Sequence, residues 1–176
     1  MITYFYIDAF NLYFGSCRGT PYKWLDPAKL FAIIFPTNRI ERIKYFTARV
    51  RPRSDDPGQP MRQETYLRAL QTIPNLEIQF GHFLAHSVRT PLAHPIIGQD
   101  PLVEVIKTEE KGSDVNLATH LVHDAHMNRF ECAIVVSGDS DLLAPVEIVT
   151  NEGAGVRPGK FDFMRLWAVD EFWKAS

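Results

Sequence analysis

Two stretches of this chain carry no charge and consist largely of β-branched and aromatic residues: residues 1–7 (MITYFYI) and 132–136 (CAIVV). A strand with one wet face alternates apolar with polar residues, so an unbroken apolar run reads as a strand covered on both faces. Such strands belong to parallel sheets held between helices. The segments between them read accordingly. Residues 26–35 form a helix with Asp26 as N-cap and Pro27 at the first helical position, stopped by Pro36. Residues 42–47 (RIKYFT) and 77–84 read as further strands. Between them, residues 61–73 are a helix with Tyr66, Leu67, Leu70 and Ile73 at helical spacing. Residues 86–101, with three prolines, predict a long loop or an irregular hairpin, and residues 103–107 a short strand. Ser113 is expected to cap a helix whose Val115, Ala118, Leu121, Val122 and Ala125 share one face. A last helix runs over about 142–152, with Pro145 tolerated in its first turn. Strands alternating with helices predict one α/β domain over residues 1–176, an α/β/α sandwich around a mostly parallel sheet.

Ligands of such sheets bind beyond the carboxyl ends of the strands. That is where the acids fall. Asp8 follows the first strand, with Asn11 three residues on. Asp139 and Asp141 follow the strand at 132–136, and Asp114 sits in the first turn of the helix behind Ser113. The fold would bring four carboxylates and one carboxamide toward one edge. Crowded carboxylates raise each other's pKa, a conflict that a hard divalent cation resolves. An all-oxygen donor set favours Mg²⁺ or Mn²⁺ over zinc. Such a site suits hydrolysis of a phosphate ester. Taken singly, each acid also has a plain reading: Asp8 as a strand-end residue, Asp139 as a helix cap, Asp114 as a partner of the helix dipole.

Other chemistries fit less well. His120, His123 and His126 are spaced by three, which spreads them around a helix instead of gathering them for zinc. Neither Gly-x-Gly-x-x-Gly nor Gly-x-x-x-x-Gly-Lys occurs. Ser137 lacks the flanks of a nucleophile elbow. A haloacid-type phosphatase would need an acid two residues after Asp8, where Phe10 stands.

The net charge of −2 does not announce nucleic-acid binding. Residues 39–68 nevertheless hold eight basic residues against four acidic ones. Among them Arg49, Arg51 and Arg53 follow the second strand near the acidic edge and are candidates for holding RNA phosphates; a solvated loop is the plain alternative. Tyr13, Phe14 and Trp24 are candidates for stacking on bases, with core packing the plain alternative for at least one of them. Cys17 and Cys132 are the only cysteines, and no leader or membrane span is legible, so a reduced cytoplasmic setting is expected.

The strings YIDAFNLY at 6–13, KTEEKGSDV at 107–115 and VSGDSDL at 136–142 together resemble the NYN domain, the LabA-like (DUF88) branch of the PIN-like nucleases. The resemblance runs from residue 2 to about 150. It implies a Rossmann-like, PIN-like sandwich and a ribonuclease using Mg²⁺ or Mn²⁺. Asp8, Asp114, Asp139 and Asp141 would be the metal-binding acids, Asn11 a further site residue and RNA the partner. The usual products of that chemistry are a 5′-phosphate and a 3′-hydroxyl. A catalytically silent RNA- or protein-binding module is the alternative, and self-association into a homo-oligomer stays open. Two departures stand out. His120 occupies the place of a further aspartate common in the family, leaving open whether one or two metals bind. Residues 153–176 are atypical, and 163–169 (FMRLWAV) fit either a strand or a terminal helix.

Overall fold

The computed structural model describes residues 1–52, 54–94, 98, 100–152 and 164–167; for 151–152 and 164–167 only the backbone is described. β1 (Ile2–Asp8) is the middle of a five-stranded sheet in the order β3-β2-β1-β6-β7, formed with β2 (Arg39–Thr47), β3 (Leu76–Phe80), β6 (Cys132–Val136) and β7 (Met164–Trp167). Every neighbouring pair is parallel. The two apolar runs lie side by side, Thr3 opposite Cys132 and Ile7 opposite Val136.

The strand period of two sorts these residues onto two faces. Phe5 and Ile7 of β1, with Cys132, Ile134 and Val136 of β6, pack on one side beneath α2 (Pro27–Ile34) and α3 (Gln59–Leu70) through Phe31, Leu67 and Leu70. Tyr4 and Tyr6, with Ala133 and Val135, pack on the other beneath α4 (Ser113–His126) and α5 (Leu143–Glu152) through Leu117, Leu121 and Val149. Both faces of the central strands are therefore dry, which is why their sequences do not alternate.

Some expectations change. The strand expected over 77–84 breaks at Gly81, where a Cβ would stand 2.7 Å from the Lys111 carbonyl oxygen and 2.9 Å from the Ser113 nitrogen. Only a residue without a side chain lets the chain pass there. Beyond it β4 (His82–Pro91) and β5 (Leu102–Lys111) pair antiparallel over their whole length as a hairpin outside the main sheet. Of the two readings of 86–101, a long loop or an irregular hairpin, the hairpin is the one found, with residues 86–91 in β4, and the short strand at 103–107 is longer at both ends. Most of its residues are exposed, so no apolar rhythm marked it. Ser113 is not the cap of α4 but its first residue. The cap position is Gly112, at φ +96°. Of the atypical tail, 164–167 is a strand beside β6, and the rest of 153–176 lies outside the described residues.

One polar contact ties α4 to the sheet. Asp124 is completely buried and Lys44 of β2 is 5% exposed. The Lys44 ammonium and the Tyr6 hydroxyl (2.8 Å) both donate to Asp124 Oδ2, and the Arg129 guanidinium donates to Oδ1 at 2.9 Å. Lys44 also stands 3.1 Å from His120 Nδ1, which accepts from it. Burial pushes the Asp124 carboxyl up, but the hydrogen bonds from Lys44 and Tyr6 outweigh it and hold the group below its usual range. Burial and the Lys44 charge lower the His120 imidazole, keeping it neutral. Removing one partner of a buried pair strands the other charge. Asp124→Ala should therefore cost about 3–5 kcal/mol, and the joint apolar change Lys44→Met, Asp124→Leu far less. Urea unfolding of the three proteins checks this; equal losses would contradict the pairing.

Candidate active site at the sheet edge

The crossovers after β1 lead to β2 and β3 on one side, while β6 and β7 lie on the other. The strand order therefore reverses between β1 and β6, and the carboxyl ends of those two strands flank the crevice where α/β sheets bind ligands. Asp8 ends β1 there, 2% exposed. Its Oδ1 accepts from the Asn11 backbone amide at 3.0 Å. Its Oδ2 accepts from the Asn11 side-chain amide and from the Ser137 hydroxyl at 2.9 Å. Ser137 Oγ in turn accepts from the Asp139 backbone amide at 3.1 Å, and Asn11 Oδ1 accepts from that of Gly138 at 3.3 Å. A Cβ on Gly138 would meet Asn11 Oδ1 at 3.2 Å, so a glycine suits that approach. The ends of β1 and β6 are knitted through one carboxylate.

Asp139 caps the 3-10 turn Ser140–Leu142, its Oδ1 accepting from the Asp141 amide at 2.9 Å. The plain cap reading of Asp139 is realised, and its other carboxylate oxygen is outside that bond. Asp141 is exposed. Asp114 lies in the first turn of α4, beside a residue the sequence analysis did not single out. Glu110, near the end of β5, accepts from the Ser113 amide at 3.1 Å and the Ser113 hydroxyl at 2.7 Å, so it supplies the capping contact of α4. The expected strand stopped at 107, which left Glu110 without a visible place.

Asp8, Asn11, Glu110, Ser113 and Asp114 line one cavity of about 280 Å³, with Phe10, Phe14 and Phe83 among its walls. Asp139 and Asp141 are not in that lining, but their charge reaches it. Burial, then the charges of Asp8, Asp139, Glu110 and Asp141, push the Asp114 carboxyl up to about 6. The acids share an edge without closing on one point. Among the described residues no three acids, histidines or cysteines are gathered as a ready metal cage.

A second cavity, of about 730 Å³, shares Phe10, Phe14, Val50 and Gln59 with the first. Phe10 and Phe14 come from α1 (Ala9–Leu12) and the π-helical turn Tyr13–Cys17 that continues it. Tyr13, Trp24, Tyr45 and Tyr66 complete its aromatic wall. Of the basic candidates, Arg49 pairs with Glu64 and stands over the Phe80 ring, and Arg51 donates to the Phe83 carbonyl at 3.3 Å. Arg53 lies outside the described residues.

The raised Asp114 carboxyl has a measurable consequence. Its folded pKa exceeds the usual 3.8, so the folded state holds the proton longer and loses stability as pH rises from about 4 to about 6. Asp114→Asn removes that loss. The variant should match wild type near pH 4 and exceed it above pH 6 in metal-free buffer. Melting curves across that range check it, and a variant that is weaker at every pH would make Asp114 a structural residue.

A model of the NYN domain matches residues 3–157. A curated protein from Pseudomonas putida strain S16, 6-hydroxy-3-succinoylpyridine 3-monooxygenase, is 30% identical over 175 residues, covering 84% of this chain. The alignment takes in 55% of that relative, so the chain spans about half its length. A solved protein of unknown function from Vibrio parahaemolyticus aligns over 85% of this chain and 74% of its own, at 20% identity and a TM-score of 0.46. With the match reaching from β1 past the end of α5, the chain belongs to the NYN domain family.

Proposed function

We propose that this domain hydrolyses RNA phosphodiester bonds at the acidic edge of the sheet with Mg²⁺ or Mn²⁺. The observation that carries the reading is the meeting of Asp8, Glu110 and Asp114 around one cavity, within electrostatic reach of Asp139 and Asp141. The donor chemistry fits a hard cation: the acids bring oxygen alone, and the Asp114 carboxyl is raised by burial and then by the charges of the acids around it. Asp8, Asp114 and Asp139 would hold the ion, with Asp141 and Glu110 at its margin. When bound, such an ion supplies charge to phosphate oxygens and acidity to water. The chain's own contribution is orientation. Asn11 and Ser137 fix both oxygens of Asp8, and Glu110 fixes the start of the helix that carries Asp114. Phe10, Phe14 and Phe83 wall the cavity and limit water around the reacting phosphate. In-line attack by water would leave a 5′-phosphate and a 3′-hydroxyl.

Arg49 and Arg51 are exposed just beyond β2, and Arg51 donates to the carbonyl of Phe83, a residue of the cavity wall; both would contact the RNA backbone. Arg49 would exchange Glu64 for phosphate on binding, a small loss for a surface pair.

A second reading has its own support. The relative from Pseudomonas putida is named for a monooxygenase acting on a substituted pyridine. The aromatic cavity beside the acids is of a size suited to a small molecule. Under that reading the acidic edge serves chemistry on a free ring, and RNA is not the substrate. A third, a silent binding module, leaves the crowding of the acids without a use.

Incubating the chain with a mixed RNA panel separates them. Cleavage should require Mn²⁺ or Mg²⁺, stop in EDTA and fall by about a hundredfold or more in Asp8→Asn, the order expected when a main electrostatic group is removed. Cleavage indifferent to chelator and substitution would overturn the metal reading, and no cleavage of any RNA would favour the other two. For the arginines, Arg49→Ala with Arg51→Ala should weaken RNA binding alike across sequences and flatten its salt dependence by about one unit per lost contact. An unchanged slope would return both to an ordinary solvated loop.

A further inference from the structure

The larger cavity has features that hydrolysis at the acidic edge does not need. Its aromatic side chains are not folded in on themselves: Tyr13, Phe14 and Trp24 are 38%, 48% and 49% exposed around the opening. A chain that could bury such rings usually does, and a rimmed group of open aromatics marks a binding surface. The walls are also braced from behind. Tyr66 donates to the Leu25 carbonyl at 2.7 Å, and Tyr45 and Trp24 both stand edge-on to its ring, with centroids 6.4 and 6.0 Å away. The rim carries charge as well. Arg62 is paired with Asp56, while Lys23 has no ion-pair partner among the described residues, leaving one positive charge in excess over the lining.

We propose that this cavity is a subsite for a flat heteroaromatic ring bearing an anionic group, the ring stacking on Trp24 and Phe14 and the anion meeting Lys23. Rings of this kind stack on any exposed aromatic face, which makes the recognition tolerant of ring type. Two sources present the same chemistry: a nucleotide of single-stranded RNA, or a free heteroaromatic acid. The inference stands on the cavity's own walls and shares only Phe10, Phe14, Val50 and Gln59 with the acidic site, so it does not require that site to cut RNA.

The test titrates the whole chain with uridine monophosphate, adenosine monophosphate, pyridine-3-carboxylate and cyclohexanecarboxylate, the last having the charge without the aromatic ring. Calorimetry and tryptophan fluorescence read binding. At least one aromatic probe should bind about tenfold or more tighter than the saturated acid, the size expected for one stacked ring. Trp24→Ala and Phe14→Ala should each remove most of that preference, Trp24→Phe should keep it, and Lys23→Ala should weaken the charged probes while sparing uncharged uridine, titrated as a fifth probe. Preference for the nucleotides identifies a strand nucleotide as the source; preference for the pyridine acid identifies a free ring. The proposal is overturned if the saturated acid binds equally, if Trp24→Ala changes nothing, or if no aromatic probe binds below about 10 mM, weaker than small-ligand sites usually are. RNA cleavage measured alongside keeps the two readings apart. Ring binding without cleavage defeats only the hydrolytic reading, and cleavage without ring binding defeats only this one.

Discussion

The arrangement rests on a buried charge pair in the layer between sheet and helix. An ammonium and a carboxylate taken out of water cost several kcal/mol each, which good geometry and extra donors must offset. Asp124 has those donors: Lys44 from β2, Tyr6 from β1 and Arg129 from the turn after α4. They come from three separate elements, so the contact forms only when α4 lies over β1 and β2 in one rotation. The apolar contacts of Leu117 and Leu121 would tolerate a slide of the helix along the sheet; a carboxylate with three donors does not. Rotation matters because the other end of α4 carries Asp114. The pair is thus a means of aiming an acid nearly three turns away on the same helix.

The sheet edge shows the opposite electrostatic condition. Asp8 is as buried as a core residue but is fully provided for by Asn11 and Ser137. Among the described residues Asp114 receives no comparable donors, and burial, followed by the charges of four neighbouring acids, raises its carboxyl. Satisfied and unsatisfied carboxylates side by side are what a site for a cationic partner requires. The satisfied one gives a fixed geometry, and the unsatisfied one gives a driving force for binding. The edge costs stability for that property, and the deep apolar packing of β1 and β6 offsets it.

Sequence made some of this legible and hid the rest for physical reasons. The sheet was readable because β1 and β6 are dry on both faces and say so in seven and five consecutive residues. Asp8, Asn11 and Asp114 line one cavity, since strand ends and helix starts are where such a sheet gathers groups; Asp139 and Asp141 are not in its lining. The β4–β5 hairpin was readable only as one of two alternatives for residues 86–101, and without the full length of its strands. Most of its residues are exposed, so the periodic signal of a half-buried strand was weak. Glu110 went with it. Asp124 was invisible for another reason: on a helix wheel it resembles any surface acid, and its burial depends on a lysine 80 residues away. Gly81 gave a local hint in retrospect, since an isolated glycine in a strand pattern marks a break or a close approach.

The last link between fold and chemistry is the short segment after β1. α1 is only four residues long, then continues as the π-helical turn through Cys17. In that space Asn11 turns inward to hold Asp8, while Phe10 and Phe14, four residues apart, form a near-parallel pair with centroids 6.4 Å apart. Those two rings belong to both cavities, so the acidic pocket and the aromatic one have a common wall. A π turn inserts one extra residue into a helical path and rotates the side chains beyond it, a device often found beside functional sites. Here it opens Tyr13 and Phe14 to the cavity while Leu12, Ser16 and Cys17 stay buried. The acids alone would suit many phosphate chemistries. A shared aromatic wall narrows them, because a group seated against Phe14 would lie between the proposed ring subsite and the proposed cation site, and a substrate with both a ring and a phosphate or carboxylate would meet the two at once.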